Sequence, residues 1–124
     1  MQIIQKAIIK AGEKYLILYR SEEEKIKPSC WDFPGGRLQD GEDPEAGLMR
    51  EVKEETGLNV KILDRQVNYE ISLHGIMYFF VLYSVKVLEN TEVVLSGEHT
   101  SYRWATKKEM ESLELNDFLK LYLK

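Results

Sequence analysis

The chain has 124 residues, of which 44% are apolar and 31% charged, and its formal net charge is −4. This length predicts a single domain over residues 1–124 with a core of its own, and it leaves no room for a second domain. The acidic balance disfavours a nucleic-acid polymer as partner, the single cysteine excludes an internal disulfide, and no signal peptide or membrane span is visible, so we expect a cytoplasmic protein without a membrane partner.

The N-terminal part of the chain has two short apolar runs, residues 2–10 and 14–20, separated by a turn at 11–13. These runs predict a strand, a hairpin turn and a second strand. Residues 21–29 are charged and lack a clear period, which is typical of an exposed loop. Arg20, at the end of the second strand, is a candidate for binding a substrate phosphate, although a solvated side chain is the simpler interpretation for any one such residue.

A helix is predicted over residues 44–56. Asp43 is a good N-cap, Pro44 suits the first helical position, and Gly57 suits the end of the helix. At about 100° per residue, one side of this helix is apolar and is expected to pack on a core. That side contains Ala46, Leu48, Met49, Val52 and Thr56.

The other side of the helix carries Glu51, Glu54 and Glu55. Their three- and four-residue spacings bring like charges together, and each such pair costs about 0.2–0.5 kcal/mol in an isolated helix. A cation among them would relieve this repulsion, and clustered carboxylates suit magnesium, which often completes its shell with water and substrate phosphates. The alternative is an ordinary solvated acidic face.

Further elements are predicted beyond the helix. Residues 59–64, 66–73 and 76–88 are expected to form strands, the last of them long enough to be twisted or bulged, and 93–95 and 101–105 shorter ones. Thr106 and Glu109 form a capping-box pair at the start of a short helix, and Asn116 is expected to begin a last helix through Tyr122. Strands around one central helix, with more helix at the end, favour an α/β fold with a mixed sheet between helical layers.

The spacing around the central helix is more specific than its composition. Gly36 is followed after five residues by Glu42, and after seven more by Arg-Glu-Val-Lys-Glu-Glu-Thr-Gly-Leu at 50–58. This register, with the Trp-Asp-Phe-Pro-Gly-Gly approach at 31–36, resembles the signature of the Nudix hydrolases, and of MutT-like members in particular. The resemblance implies the Nudix fold, an α/β/α sandwich with a catalytic loop–helix–loop, and hydrolysis of a nucleoside diphosphate linked to another group.

The resemblance also implies a site. It assigns Mg²⁺, with Mn²⁺ as a substitute, to Gly35 (through its carbonyl), Glu51, Glu54, Glu55 and Glu98, and the catalytic machinery to Arg50, Glu54, Glu55 and Glu98. Arg50 is expected to pair with Glu42 and so to support the site. Glu98 is the candidate general base, with an ordinary solvated loop carboxylate as the alternative, while His99 is less favoured because metal-activated water does not need an imidazole.

The substrate is less closely defined. Tyr78 is a candidate for contact with a base, and Asn116 for hydrogen bonding to one, although a strand aromatic is more often core and an N-cap role for Asn116 is favoured. The residues typical of ADP-ribose and dinucleoside polyphosphate hydrolases are absent after Gly57, which leaves a small MutT-like nucleoside triphosphate pyrophosphatase. The alternative is a non-catalytic Nudix-fold module that binds nucleotides or a protein, and a monomer and a homodimer both remain open.

Overall fold

The computed structural model describes residues 2–20, 30–88, 92–97 and 99–124. No helix within these residues is long and apolar enough to cross a bilayer. The elements in chain order are β1 Gln2–Ile8, β2 Lys10–Ala11, β3 Lys14–Arg20, β4 Trp31–Asp32, β5 Gly35–Arg37, α1 Pro44–Thr56, β6 Val60–Leu73, β7 Ile76–Val87, β8 His99–Ala105, α2 Lys107–Met110 and α3 Asp117–Leu123.

The described strands form two sheets. The first has the order β5-β1-β7-β6 and is mixed, because β1 is parallel to β7 and the other pairs are antiparallel. The second is antiparallel, with β3 between β8 and β4 and with β2 paired to β3. One core cluster contains buried side chains of α1 and the other contains those of α2 and α3, so helices cover the strands from both sides, as expected for an α/β/α sandwich.

The first hairpin differs from the sequence expectation. Residues 2–10 are not one strand paired with 14–20, because the run is interrupted at Ile9. β2 alone forms the hairpin with β3, whereas β1 belongs to the other sheet and lies between β5 and β7. The physical reason is that β1 buries both faces, with Ala7 in one core cluster and Ile8 in the other, and a two-stranded hairpin cannot supply both.

The segments predicted at 59–64 and 66–73 are one strand, β6, which pairs with β7 through a turn at His74 and Gly75. The long strand β7 was expected to be twisted or bulged, and the bulges are found in its partner: the register shifts twice along β6, between Ile62 and Asp64 and between Arg65 and Val67. Extra residues in β6 accommodate the twist of the long pair.

Helix α1 begins and ends where the sequence predicts. Asp43 accepts a hydrogen bond from the Ala46 amide, and Gly57 donates one to the Lys53 carbonyl. The prediction of the apolar side of α1 was wrong at one position, because Ala46 is exposed and Gly47 is buried in its place. A side chain at Gly47 would collide with the carboxylate of Glu42, so this position is filled by the loop that precedes the helix.

Residues 93–95 do not form the predicted strand. Instead, the amide of Val94 donates to the carbonyl of Thr56 and that of Ser96 to the carbonyl of Glu55, so this segment satisfies carbonyls in the last turn of α1. The capping box at Thr106 and the N-cap at Asn116 are both present as predicted.

Candidate active site

The carboxylates of α1 meet the backbone of β5 at Gly35 and Gly36. Glu55 Oε1 accepts a hydrogen bond of 2.9 Å from the Gly35 amide. The carboxylate of Glu51 lies where the Cβ of any other residue at position 36 would stand. Gly35 has a φ of 139°, which side chains rarely allow, and its own Cβ would collide with the carbonyl oxygen of Gln5. Gly36 is therefore required for α1 to approach β5, and Gly35 is required for β5 to approach β1.

Burial raises the pKa of Glu51 and that of Glu55 to about 7, because desolvation disfavours their charged forms. The positive charge of Lys6 acts in the opposite direction on both. Glu54 differs from them, since its side chain is 61% exposed and faces solvent. The three helix glutamates therefore separate into a half-buried pair at the glycines and one exposed carboxylate.

Lys6 is a functional candidate that the sequence interpretation missed. Its ammonium lies 3.0 Å from Asp32 Oδ2 and 3.5 Å from the Gly35 carbonyl oxygen, and both side chains are almost fully buried. Asp32 in turn accepts a hydrogen bond from the Phe33 amide. A lysine inside the apolar run 3–9 was a signal, because a buried lysine needs a partner, but its partner lies 26 residues later in the chain.

Arg50 ties the loop before α1 to the helix, as predicted. Its Nε and Nη2 donate to Glu42 Oε2 at 3.0 and 2.8 Å, while its Nη1 lies 3.1 Å from both oxygens of Glu54. The hydrogen bond from Arg50 holds the pKa of Glu42 below its usual range. A planar guanidinium suits this bridging role because its donors have a fixed geometry.

The residues at the glycines fit a divalent cation. Glu51 Oε1 is buried and has no hydrogen-bond partner within the described residues, and such an oxygen fits the role of a metal ligand. However, no group of three His, Cys, Asp or Glu side chains among the described residues is arranged to hold an ion by itself. Glu51 and Glu55 would therefore need further oxygens, and backbone, water and substrate phosphates are the usual sources for magnesium.

A cavity of about 530 Å³ opens beside Gly35 and Gly36, and its lining includes residues at the start of α3 but none of α1. Its volume is in the range of small-molecule sites. Basic side chains from three strands line it near the glycines, and aromatic and polar side chains line it near α3. The basic residues are Lys6, Arg20 and Arg37, and the others include Tyr78, Asn116, Asp117 and Phe118.

The structure brings together the three substrate-binding candidates named from sequence, since Arg20, Tyr78 and Asn116 all line this cavity. Tyr78 packs edge-on against Phe118, with ring centroids 5.9 Å apart. Asn116 is the N-cap of α3 and accepts a hydrogen bond from the Phe118 amide, so the favoured N-cap interpretation is confirmed. Glu98, the candidate base, lies outside the described residues, and His99 begins β8 opposite Arg20.

The NUDIX domain family model matches residues 6–123, and the chain therefore belongs to the Nudix family of hydrolases, which act on phosphoric anhydride bonds. Nudix hydrolases in general use divalent metal ions. The fold supports the same assignment. A crystal structure of a MutT protein from Methanosarcina mazei Go1 superimposes with a TM-score of 0.87 at 27% identity, covering 98% of this chain and 89% of that one.

Two curated relatives are similar in sequence. A protein of Enterobacter sp. (strain 638) named nucleoside triphosphatase NudI is 25% identical over 124 residues, which cover 92% of this chain and 88% of the relative. An 8-oxo-dGTP diphosphatase of Proteus vulgaris is 40% identical over 55 residues, which cover 42% of this chain and 49% of that protein.

Proposed function

We propose that this protein is a magnesium-dependent pyrophosphohydrolase of nucleoside triphosphates. The observation that carries the proposal is the position of Glu51 and Glu55 at Gly35 and Gly36, next to a cavity that basic side chains line. The names of the two relatives, a nucleoside triphosphatase and an 8-oxo-dGTP diphosphatase, support this substrate class. We also propose that residues 1–124 act as one catalytic domain in the cytoplasm.

Glu51, Glu55 and the Gly35 carbonyl would hold the cation, with Glu54 and Glu98 as further candidates. When bound, a divalent cation screens phosphate charge and lowers the pKa of a coordinated water. Without it, two half-buried carboxylates would repel a polyphosphate. Because these carboxylates have no third acidic partner among the described residues, the substrate phosphates themselves are expected to complete the site.

The remaining residues bind and orient the substrate. Arg20 and Arg37 offer positive charge to the phosphates, whereas the charge of Lys6 is already paired with Asp32. The aromatic pair of Tyr78 and Phe118 offers an apolar surface to the nucleoside. Arg50 keeps the loop and the helix in register through Glu42. Glu98 accepts a proton from the attacking water in this proposal.

A hydrolysis screen with and without Mg²⁺, in which the nucleotide products and pyrophosphate are separated by chromatography, tests the function. Its substrates are nucleoside triphosphates, ADP-ribose, dinucleoside polyphosphates and coenzyme A, and nucleoside triphosphates are expected to be hydrolysed fastest. EDTA should abolish turnover, and Glu55→Gln should lower kcat by orders of magnitude, whereas Glu45→Gln, on the exposed first turn of α1, should not. Full turnover in EDTA would refute the metal dependence, and a preference for another substrate would refute the substrate class.

A further inference from the structure

Gln5 in β1 has a buried side chain that no hydrogen bond accounts for. The residue is 1% exposed, and neither its Oε1 nor its Nε2 has a partner within the described residues. A buried amide without partners destabilises a fold, and an apolar side chain of similar size would avoid that cost. We therefore expect the Gln5 amide to find a hydrogen-bond partner in another state of the site.

The side chain of Gln5 points to the face of β1 that α1 covers. Side chains alternate along a strand, and Ile3 and Ala7 pack in the same core cluster as Leu48 and Val52 of α1. Ile4 and Ile8 pack in the other cluster, with α2 and α3. Gln5 therefore faces the catalytic helix, whereas its neighbour Lys6 faces the cavity.

The pairing of β1 with β5 places the side chain of Gln5 next to that of Glu51. Gln5 and Gly36 are directly opposite each other in the antiparallel pair of β1 and β5, so side chains at these positions would stand about 4.5–5.5 Å apart on one face. Gly36 has no side chain, and the carboxylate of Glu51 takes that space. Glu51 thus stands as the cross-strand neighbour of Gln5, and its Oε1 is the other buried oxygen at this place without a partner.

We propose that Gln5 is a positioning residue for Glu51: its amide hydrogen-bonds the Glu51 carboxylate when that group binds the divalent cation, and so fixes the carboxylate's orientation. Only side-chain rotation is required, because Gln5 is paired with Gly36 and the carboxylate of Glu51 already stands over Gly36. The inference rests on the proposed metal-dependent function. It adds a residue that lies outside the signature at 36–58, on a strand that the signature does not cover.

The test measures Mn²⁺ binding to the full chain by calorimetry, extended to millimolar metal, together with melting temperature in EDTA. Gln5→Met removes the amide at nearly constant shape, and Gln5→Leu serves as a second variant. The matched control is Ile9→Val, a buried residue on the same side of the sheet. Each is compared in the wild type and in a Glu51→Gln background.

We expect Gln5→Met to weaken Mn²⁺ binding about 10–100-fold, the range found when partners of metal ligands are removed. Its melting temperature in EDTA should stay equal or rise, because a buried unpaired amide is lost. Ile9→Val should leave the dissociation constant unchanged while slightly lowering stability. In the Glu51→Gln background, Gln5→Met should have no further effect on binding.

Three results would overturn the inference. An unchanged Mn²⁺ affinity in both Gln5 variants would show that the amide does not serve the site. An equal loss in the Glu51→Gln background would show that it does not act through Glu51. Failure of both variants to fold would make Gln5 structural. If the wild type itself binds no Mn²⁺, the proposed function fails as well, which separates the two cases.

Discussion

The carboxylate of Glu51 occupies the space that a side chain at Gly36 would need. Helix α1 and strand β5 are therefore fitted to each other at the point where the acidic residues approach the backbone. Gly36 lines the cavity as well, so this contact joins the helix to the cavity.

Gly36→Ala should displace Glu51 and weaken Mn²⁺ binding at least about tenfold, as expected when a metal ligand's surroundings are disturbed. Calorimetric titration with Mn²⁺ measures this effect. Gly12→Ala is the control, because an added Cβ there meets nothing within 4 Å although φ is +62°. That variant should lose about 1–2 kcal/mol from its left-handed backbone and keep its metal affinity. Equal affinities for the wild type and Gly36→Ala would contradict the prediction.

The metal-free protein should lose stability as pH rises from 4.5 to about 7. Glu51 and Glu55 have an ordinary pKa of 4.5 and a folded pKa of about 7, so within this window the folded state binds more protons than the unfolded state. Protonation therefore stabilises the fold, and the contribution disappears as pH passes the folded pKa. Melting temperatures in EDTA across this window test the sign.

The double variant Glu51→Gln/Glu55→Gln isolates this effect from other titrating groups. Its melting temperature should fall less between pH 4.5 and 7 than that of the wild type, and at pH 7 it should be equal or higher. A matching pH slope in the two proteins would mean that these carboxylates do not titrate there. Unfolding of the variant would make them structural.

Arg50→Lys should lower kcat by about tenfold or more while the protein stays folded. Arg50 contacts Glu42 Oε2 through two nitrogens and Glu54 through a third. A lysine has a single nitrogen and cannot make all of these contacts at once. The loop between β5 and α1 would then lose its fixed position. Steady-state kinetics beside a thermal melt measures the change, and Lys53→Arg on the exposed face of α1 is a control. Wild-type kcat in Arg50→Lys would argue against this role.

Glu98→Gln should lower kcat at least about tenfold with little change in KM, because a general base typically contributes 10²–10⁴-fold to the rate. Substrate phosphates are held by other groups in this proposal, so KM should be kept. The acidic limb of the pH–rate profile should also disappear. Glu92→Gln, an exposed carboxylate, is the control, and a wild-type rate for Glu98→Gln would move the search for the base to Glu54.

Several helix boundaries of this protein could be predicted from its sequence alone. The limits of α1 follow from Asp43, Pro44 and Gly57, and the capping box of α2 from Thr106 and Glu109, because these signals act within a few residues. The pairing of Arg50 with Glu42 followed from the family register and is present in the structure.

Tertiary structure alone decided the rest. The division of residues 2–10 between two sheets, the segment 92–96 along the end of α1, and the positions of Gln5 and Lys6 all depend on contacts between distant parts of the chain. Local propensity cannot encode such contacts, because strand register is fixed by which faces the assembled core buries. The sequence thus specified the acidic helix, and the register of β1 against β5 decided which residues meet it.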